Sequence, residues 1–290
     1  MRVLVTGAGG MVGRAVCEYC GASGDLVFSY DHQSLDVGDT ERVMQTLKND
    51  KPDAVINCAA WTDVDGCELD QERAFVANAR GPENLAHATR EINAGLVTIS
   101  TDYVFKGDKE GFYTQRDQPN PESVYGASKL EGERRAQSAH ARTIVVRTGF
   151  VFGVGGTNFL STIIERAKRG EKLKAIGDAY GTPSYAPDLA QRLRELAQLD
   201  IPGIFHVVNA GEGASFEEFA RAALDLGGYA STNVESVEMD SLHRPAPRPR
   251  NSRLKCLLSE AVGLAPLPFW KDSLRSFVAL DSRSEVAAKN

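Results

Sequence analysis

The chain begins with a short apolar run that leads directly into three evenly spaced glycines. Gly7, Gly10 and Gly13 follow the run in the pattern Gly-x-x-Gly-x-x-Gly and open a helix-length segment. Glycine permits a tight turn and lets backbone N–H groups approach a phosphate, whose charge the helix N-terminus favours. An ordinary glycine turn is the alternative. The position between strand and helix favours a parallel α/β fold with a dinucleotide-binding first turn.

Short β-branched runs alternate with helix-length segments through the first half of the chain. We predict strands at 2–6, 26–30, 54–57, 96–100 and 143–147, and helices at 11–21, 40–49, 71–91 and around 123–137. This alternation is typical of a parallel sheet with helices on both faces. The expected fold class is therefore α/β, with a Rossmann-type doubly wound sheet.

The alternation weakens after residue 153, which indicates a smaller C-terminal lobe. We predict helices at 159–169, 187–199 and 216–226, a strand at 204–208, and an extended proline-rich loop at 244–250, since each proline fixes φ and removes a donor. The expected organisation is an NAD(P)-binding domain at 1–153, to which segments around 178–208 return. A mainly substrate-binding lobe follows at 154–280, and then a flexible polar tail at 281–290.

Composition excludes several classes of function. A net charge of −6 and a pI near 5.5 give no basic field for nucleic acid, and no apolar window approaches bilayer length. The five cysteines are odd in number and scattered, which favours a reducing compartment, so we expect a cytoplasmic protein. Cys17-x-x-Cys20 has no second pair or histidine at ligand spacing, and we expect no metal site.

Asp31 ends the second predicted strand, where an acidic side chain usually bonds the adenosine ribose. A carboxylate there repels a 2′-phosphate, which favours NADH slightly over NADPH; a solvated turn aspartate is the alternative. Either NADH or NADPH therefore stays open as the cofactor. The residues expected to bind the cofactor are Gly7, Gly10, Met11, Val12, Gly13, Asp31, Asp36, Val37, Ala59, Ala60, Thr62, Tyr125 and Lys129.

Tyr125 and Lys129 lie at i and i+4 of a predicted helix, and therefore on one face. A lysine beside a tyrosine lowers the phenol pKa from about 10, which suits proton exchange with a ketone or sugar hydroxyl. Such pairs also arise by chance. Thr101 adds weight, because it follows the fourth predicted strand and places a hydroxyl at the carboxyl edge of the sheet.

Together these motifs resemble the extended short-chain dehydrogenase/reductases, and within them the dTDP-4-dehydrorhamnose reductase family. The resemblance rests on the glycine motif, Asn57-Cys-Ala-Ala60, Ser100-Thr-Asp-Tyr-Val-Phe105, Tyr125-x-x-x-Lys129 and Arg147-Thr148. It implies that Tyr125 protonates the C4 oxygen of a sugar while hydride arrives from the nicotinamide. It also implies that Lys129 holds the nicotinamide ribose and that Thr101 bonds the C4 carbonyl.

The implied reaction is NAD(P)H-dependent reduction of the C4 ketone of a nucleotide sugar, from dTDP-4-dehydro-β-L-rhamnose to dTDP-L-rhamnose. The partner is then a small molecule; the sequence leaves the oligomeric state open, with a homodimer as one option. The residues expected at the substrate are Thr101, Asp102, Tyr103, Phe150, Asn158, Arg248 and Arg250. For the arginine loop, a solvated surface is the alternative.

Three rival functions share this fold. Related dehydratases carry an Asp-Glu pair after the threonine, whereas here Asp102 and Tyr103 follow Thr101. An epimerase would retain its cofactor through turnover. A non-catalytic subunit resembling the regulatory subunit of methionine adenosyltransferase would keep similar motifs. The chain also has Gly149-Phe150 where many rhamnose-forming reductases carry tryptophan, which leaves the identity of the sugar open.

Overall fold

The computed structural model describes the backbone of residues 1–156 and 158–288, and side chains as far as residue 280. Strands and helices alternate regularly through the first half. In chain order they are β1 (Arg2–Thr6), α1 (Met11–Ala22), β2 (Leu26–Tyr30), α2 (Thr40–Asp50), β3 (Ala54–Asn57), α3 (Val64–Leu69), α4 (Gln71–Phe75), α5 (Gly81–Glu91), β4 (Gly95–Thr101), α6 (Val124–Ala139) and β5 (Thr143–Thr148).

Shorter strands mix with longer helices in the second half. They are β6 (Val151–Phe152), α7 (Phe159–Lys168), β7 (Leu173–Ile176), β8 (Tyr180–Gly181), β9 (Ser184–Tyr185), α8 (Ala186–Leu199), β10 (Gly203–His206), β11 (Ala214–Ser215), α9 (Phe216–Leu226), β12 (Val234–Val237) and α10 (Trp270–Ala288). The proline-rich loop at 244–250 is neither helix nor strand, as predicted.

The six-stranded sheet has the order β10-β5-β4-β3-β1-β2, and every pair in it is parallel. The chain moves from β1 to β2 on one side and then returns to β3 on the other. Ligands of open α/β sheets bind at such a switch point, beyond the carboxyl ends of the strands. The predicted doubly wound parallel sheet is confirmed, and the switch point falls at the glycine turn.

Helices cover both faces of the sheet, because the strands of a parallel sheet carry apolar side chains on both faces and these must be shielded from water. Helices α1 and α8 pack on one face, over a core that includes Val5, Ile56 and Leu193. Helices α2 and α5 cover the other face with Leu47 and Leu85. None of the helices in the described part of the chain is long and apolar enough to cross a membrane.

A second core holds the C-terminal elements together. Phe219 of α9 packs edge-on against Phe152 and Trp270, with ring centroids 5.2 and 5.7 Å apart. β7 and β12 form a separate parallel pair beside α9. β10 pairs with β5 at the edge of the main sheet. Residues of the second half therefore contribute both to the main sheet and to the C-terminal core.

Two predicted segments differ in detail. The helix expected at 71–91 is interrupted by a π-helical turn, Val76–Arg80, which joins α4 to α5. The backbone of residues 281–288, expected as a tail, continues α10, and residues 289 and 290 lie outside the described residues. The π turn carries Asn78, whose Nδ2 donates to the Trp61 carbonyl and the Ser128 hydroxyl at 3.0 and 3.1 Å. The π turn thus packs against α6. The spacing of apolar residues along the chain does not reveal such a tertiary contact, so the sequence predicted an uninterrupted helix.

Candidate active site

The turn between β1 and α1 requires its glycines. Gly7 has φ +65°, and a Cβ on it would lie 2.7 Å from the backbone of Cys58 and Ala59 after β3. A Cβ on Gly13 would lie 2.2 Å from the Gly7 carbonyl oxygen. The backbone of the turn therefore packs directly against the start of α1 and the end of β3, and no side chain at these two glycines covers it. This cradle fits a pyrophosphate at the helix N-terminus.

A cavity of about 860 Å³ extends from the glycine turn towards β2. Of the residues expected at the cofactor, it is lined by Gly7, Gly10, Asp31, Asp36, Val37, Ala59 and Ala60. The Asp31 carboxylate is exposed and accepts hydrogen bonds from the backbone N–H and hydroxyl of Ser34, at 2.9 and 2.7 Å, and these keep its pKa below the ordinary value. Asp31 lies beside the glycine turn, since a Cβ built on Gly9 would lie 3.4 Å from the Cβ of Asp31.

A second cavity, of about 550 Å³, continues from the same turn to the ends of β4 and β5. It brings together the expected residues Gly7, Gly10, Met11, Val12, Gly13, Ala59, Ala60, Thr62, Thr101, Asp102, Tyr103, Tyr125, Lys129 and Phe150. The glycine turn and the three predicted catalytic side chains therefore line one space. Within the described residues no group of three histidine, cysteine or acidic side chains could hold a metal ion.

Thr101 ends β4 and anchors the turn that follows. Its hydroxyl donates to the Asp102 carboxylate at 3.0 Å and accepts from the backbone N–H of Tyr103 at 3.2 Å. Tyr125 hydrogen-bonds to the Thr101 side chain from the first turn of α6. Ser123 caps that helix by accepting from Gly126 N–H at 3.1 Å, so the position of Tyr125 is fixed by the helix start.

The pKa of Tyr125 differs from the expectation. Burial raises it above its usual value, and the nearby acidic side chain of Asp102 adds to the rise, while the hydrogen bond with Thr101 opposes it. Lys129 is not among the main groups that shift it, and the Lys129 ammonium donates instead to the Ile99 carbonyl oxygen at 2.7 Å. Tyr125 is therefore held as a protonated phenol, which is the form that a reduction requires of its acid.

Lys129 is itself buried, at 4% exposure. Burial lowers its pKa to about 8, although the charges of Glu133 and Cys58 oppose the shift. The ammonium is thus less stable than that of a surface lysine and responds to the charges around it. Within the described residues its ammonium hydrogen-bonds to a backbone carbonyl and forms no ion pair with an acidic side chain.

Asp102 is a buried carboxyl group beside these residues. Burial raises its pKa to about 6, against hydrogen bonds from Ser252 and Thr101. Gly149 makes room for it, because a Cβ on Gly149 would lie 2.3 Å from an Asp102 carboxylate oxygen. The resemblance identified Asp102, but the requirement for glycine at position 149 and the contribution of Ser252 appear only in three dimensions.

The substrate residues expected from the resemblance divide into two groups. A small cavity adjoining the site is lined by Tyr103, Phe150 and Arg248, and Phe150 also lines the catalytic cavity. Asn158 instead caps α7, accepting from Ser161 N–H at 3.1 Å and donating to the Gly153 carbonyl at 2.9 Å. Arg250 forms ion pairs with exposed aspartates and lines neither cavity.

Sequence reasoning missed two residues on the β2 side of the cleft. Trp61 and Arg73 line the larger cavity, and the Arg73 guanidinium lies 4.3 Å from the centroid of the Trp61 ring. Trp61 follows the Asn57-Cys-Ala-Ala60 motif directly, which was a usable signal. Arg73 lies on α4, and nothing in its local pattern distinguishes it from a solvated helical arginine.

The model of the family described as the RmlD substrate binding domain matches residues 1–282. The chain belongs to this family. A dTDP-4-dehydrorhamnose reductase of Mycolicibacterium smegmatis is 38% identical over 281 residues, which cover 96% of this chain and 85% of the relative. The family resemblance inferred from the motifs is thereby confirmed.

Solved structures named as dTDP-4-dehydrorhamnose reductases are similar to this chain over nearly its whole length. A dTDP-4-dehydrorhamnose reductase of Clostridium acetobutylicum is 35% identical, with a TM-score of 0.93 and coverage of 97% of this chain and 100% of that chain. The dTDP-4-dehydrorhamnose reductase of Bacillus anthracis in complex with NADP is 33% identical, with a TM-score of 0.92 and coverage of 95% and 98%. The similarity includes both the sheet and the C-terminal elements.

Proposed function

We propose that this protein uses NADH or NADPH to reduce the C4 ketone of a nucleotide sugar, converting dTDP-4-dehydro-β-L-rhamnose to dTDP-L-rhamnose. The observation that carries the proposal is the single cavity in which the glycine turn, Thr101, Tyr125 and Lys129 meet. The names of the relatives support the substrate class.

The residues of the chain have distinct tasks in this proposal. The reduced nicotinamide, when bound, supplies the hydride. The glycine turn holds the pyrophosphate through backbone N–H groups, and Lys129 bonds the adjoining ribose. Thr101 orients the ketone through its hydroxyl, while Tyr125 gives its phenolic proton to the C4 oxygen as that oxygen gains negative charge. Because burial keeps Tyr125 protonated, the proton is in place before the reaction begins.

The substrate side of the site combines apolar and charged surfaces. The Phe150 ring covers one wall of the catalytic cavity and stacks on Phe216, with ring centroids 4.2 Å apart. Arg248 supplies a guanidinium beside Tyr103, suited to the nucleotide part of the substrate. An aromatic wall for the sugar and a cation for the diphosphate match the two ends of a nucleotide sugar.

The domain assignment and the setting belong to the same proposal. Residues 1–153, together with the returning segments around 178–208, would bind the cofactor, and 154–280 would mainly bind the sugar nucleotide. Five cysteines without disulfides among the described residues support a reducing, cytoplasmic setting. The partners are small molecules and neither nucleic acid nor membrane. A homodimer stays a prediction, to be measured by light scattering.

The direct test measures NADH and NADPH oxidation with a panel of 4-keto nucleotide sugars, with identification of the product. We expect stoichiometric oxidation with dTDP-4-dehydro-β-L-rhamnose. Net epimerisation without cofactor consumption would support an epimerase. No turnover of any ketone, with copurification of a partner enzyme, would support a non-catalytic subunit. Turnover of another 4-keto sugar only would retain the reductase and reject rhamnose.

Tyr125→Phe tests the assigned proton donor. We expect a loss in kcat of roughly 10²-fold or more, the scale of general acid catalysis, with cofactor Kd nearly unchanged. Tyr229→Phe, a change in the C-terminal core away from the cavity, is the matched control and should leave kcat unaltered. A Tyr125→Phe enzyme with near-normal kcat would reject the role.

A further inference from the structure

Three ionisable side chains lie on successive turns of one face of α6. Tyr125, Lys129 and Glu133 have the spacing i, i+4 and i+8. All three are buried, and Glu133 is only 3% exposed. A buried carboxylate one turn from a buried ammonium normally pairs with it, because the attraction between opposite charges strengthens where water is excluded.

In this structure Glu133 pairs with another residue. Its two carboxylate oxygens accept hydrogen bonds from Nε and Nη2 of Arg147, at 2.9 and 2.7 Å. Arg147 is 3% exposed and lies on β5, next to Thr148, which lines the catalytic cavity. Its guanidinium also lies over the ring of Phe105, 5.2 Å from the centroid. This bidentate, stacked geometry fixes both partners.

We propose that Arg147 is a positioning residue that holds the Glu133 carboxylate away from Lys129, so that the Lys129 ammonium stays available to the cofactor ribose. The inference rests on the proposed function for the use of Lys129, but the geometry that it describes exists in the protein without cofactor. The Lys129 ammonium contacts the Ile99 carbonyl oxygen and not an acidic side chain. A ribose hydroxyl could accept a second hydrogen bond from the ammonium or take the place of this carbonyl.

Other charged groups around Lys129 are few. On its own helix these are Tyr125 and Glu133, and across from it Arg147 lies on β5. Cys58, after β3, also acts on Lys129, although burial holds the pKa of this thiol well above its usual value, so it is neutral at ordinary pH. Asp102 and Tyr103, at the end of β4, act on Tyr125. Burial has the largest effect on Lys129; among these groups Glu133 is the anion whose charge acts on it, and Arg147 fixes where Glu133 points.

Three variants separate positioning from simple structural support. In Arg147→Met, Glu133 loses its partner and turns to Lys129, and we expect cofactor affinity and kcat each to fall by roughly tenfold, the scale of one mispaired buried charge. In the double variant Glu133→Leu with Arg147→Met, no anion is left to capture Lys129. Both quantities should then return to within about threefold of the wild type. Arg147→Lys keeps a cation and should lose less than Arg147→Met.

A readout without cofactor or substrate keeps the inference distinct from the proposed function. The rate at which acetic anhydride acetylates Lys129, followed by peptide mass spectrometry over a range of pH, reports the free amine. Arg147→Met should shift this profile to higher pH, because Glu133 then stabilises the ammonium, and the double variant should reverse the shift. The shift would appear even if the protein reduced no sugar.

The outcomes are decisive in both directions. Thermal unfolding of each variant shows whether it is folded, and the double variant serves where Arg147→Met alone does not fold, since an apolar pair replaces the ion pair. A shifted acetylation profile and weakened cofactor affinity in Arg147→Met, both reversed in the double variant, support the inference. If Arg147→Met leaves both unchanged, or if the folded double variant is as impaired as the single one, Arg147 does not act through Glu133 on Lys129.

Discussion

Arg248 and Asp65 meet across the mouth of the site although 183 positions separate them. Nη1 and Nη2 of Arg248 donate to the two carboxylate oxygens of Asp65 at 3.0 and 2.9 Å. Arg248 also hydrogen-bonds to Tyr103, and its hydrogen bonds to Asp65, with a smaller effect of its charge, keep the Asp65 pKa below the usual value. The ion pair attaches the proline-rich loop to α3 and holds one guanidinium beside the cavity.

Arg248→Ala should therefore weaken binding of the sugar nucleotide. We expect KM for the nucleotide sugar to rise by roughly tenfold or more, the scale of one charge-assisted contact, with cofactor Kd little changed. Arg250→Ala is the control, because Arg250 is half exposed and contacts Asp178 and Asp240. Steady-state kinetics of the two variants decides. An equal rise in KM for both variants would contradict the different roles that the structure gives to Arg248 and Arg250.

Asp31 should govern the choice between the two cofactors. It lines the cavity beside the glycine turn, and its carboxylate, whose pKa is lowered, would repel a 2′-phosphate bound next to it. Asp31→Ala should therefore raise kcat/KM for NADPH relative to NADH by about tenfold. Asp36→Ala, which changes a second acidic lining residue, is the comparison. A wild-type enzyme that strongly prefers NADPH would show that the carboxylate does not face the 2′ position.

Phe150 should act on the substrate rather than on the cofactor. It has φ +45° and stacks on Phe216, so the ring is held against the catalytic cavity in a backbone conformation that is uncommon for a side chain of this size. Phe150→Ala should lower kcat/KM for the nucleotide sugar by about 10- to 200-fold, the range for an apolar contact in a pocket, and change cofactor Kd less. Phe150→Leu retains apolar bulk and should recover part of the loss. A fall in cofactor affinity alone would reject the role.

His206 should make the protein less stable in acid. Burial lowers its pKa from 6.5 to about 4, and the Arg147 charge adds to this, while its Nδ1 lies 3.2 and 3.1 Å from two backbone carbonyls. The folded state therefore binds a proton less readily than the unfolded state. The stability that neutral His206 contributes is complete above pH 6.5 and is lost as pH falls towards 4. By linkage, the free energy of unfolding should be lower at about pH 5 by roughly 2 kcal/mol.

Urea unfolding at neutral pH and at about pH 5 measures this loss. His206→Asn retains a donor for the carbonyls but does not titrate, so its free energy of unfolding should fall less on acidification. The raised pKa of Asp102 acts in the opposite direction, since protonation of that buried carboxyl stabilises the folded state below about pH 6. Both proteins contain Asp102, so its effect cancels in the comparison. An identical loss in both proteins would contradict the assignment to His206.

Local patterns in the sequence determined the sheet, the glycine turn and the helix that carries Tyr125 and Lys129. Gly7, Gly10 and Gly13 lie within one strand-turn-helix unit, and Tyr125 and Lys129 lie one helical turn apart, so spacing alone set their geometry. Backbone hydrogen bonds of a helix or turn connect near neighbours, and a local pattern is enough to specify them. The placement of Thr101 at the carboxyl edge followed from the parallel sheet.

Tertiary structure alone decided which distant side chains meet. The sequence treated Arg248 and Arg250 alike and assigned Asn158 to the substrate, but packing placed Arg248 on Asp65, Arg250 on surface aspartates, and Asn158 on a helix end. It also paired Glu133 with Arg147 and left Lys129 to a carbonyl. Charge pairing and pKa depend on burial and on contacts between segments far apart in the chain, and neither of these is a property of local spacing.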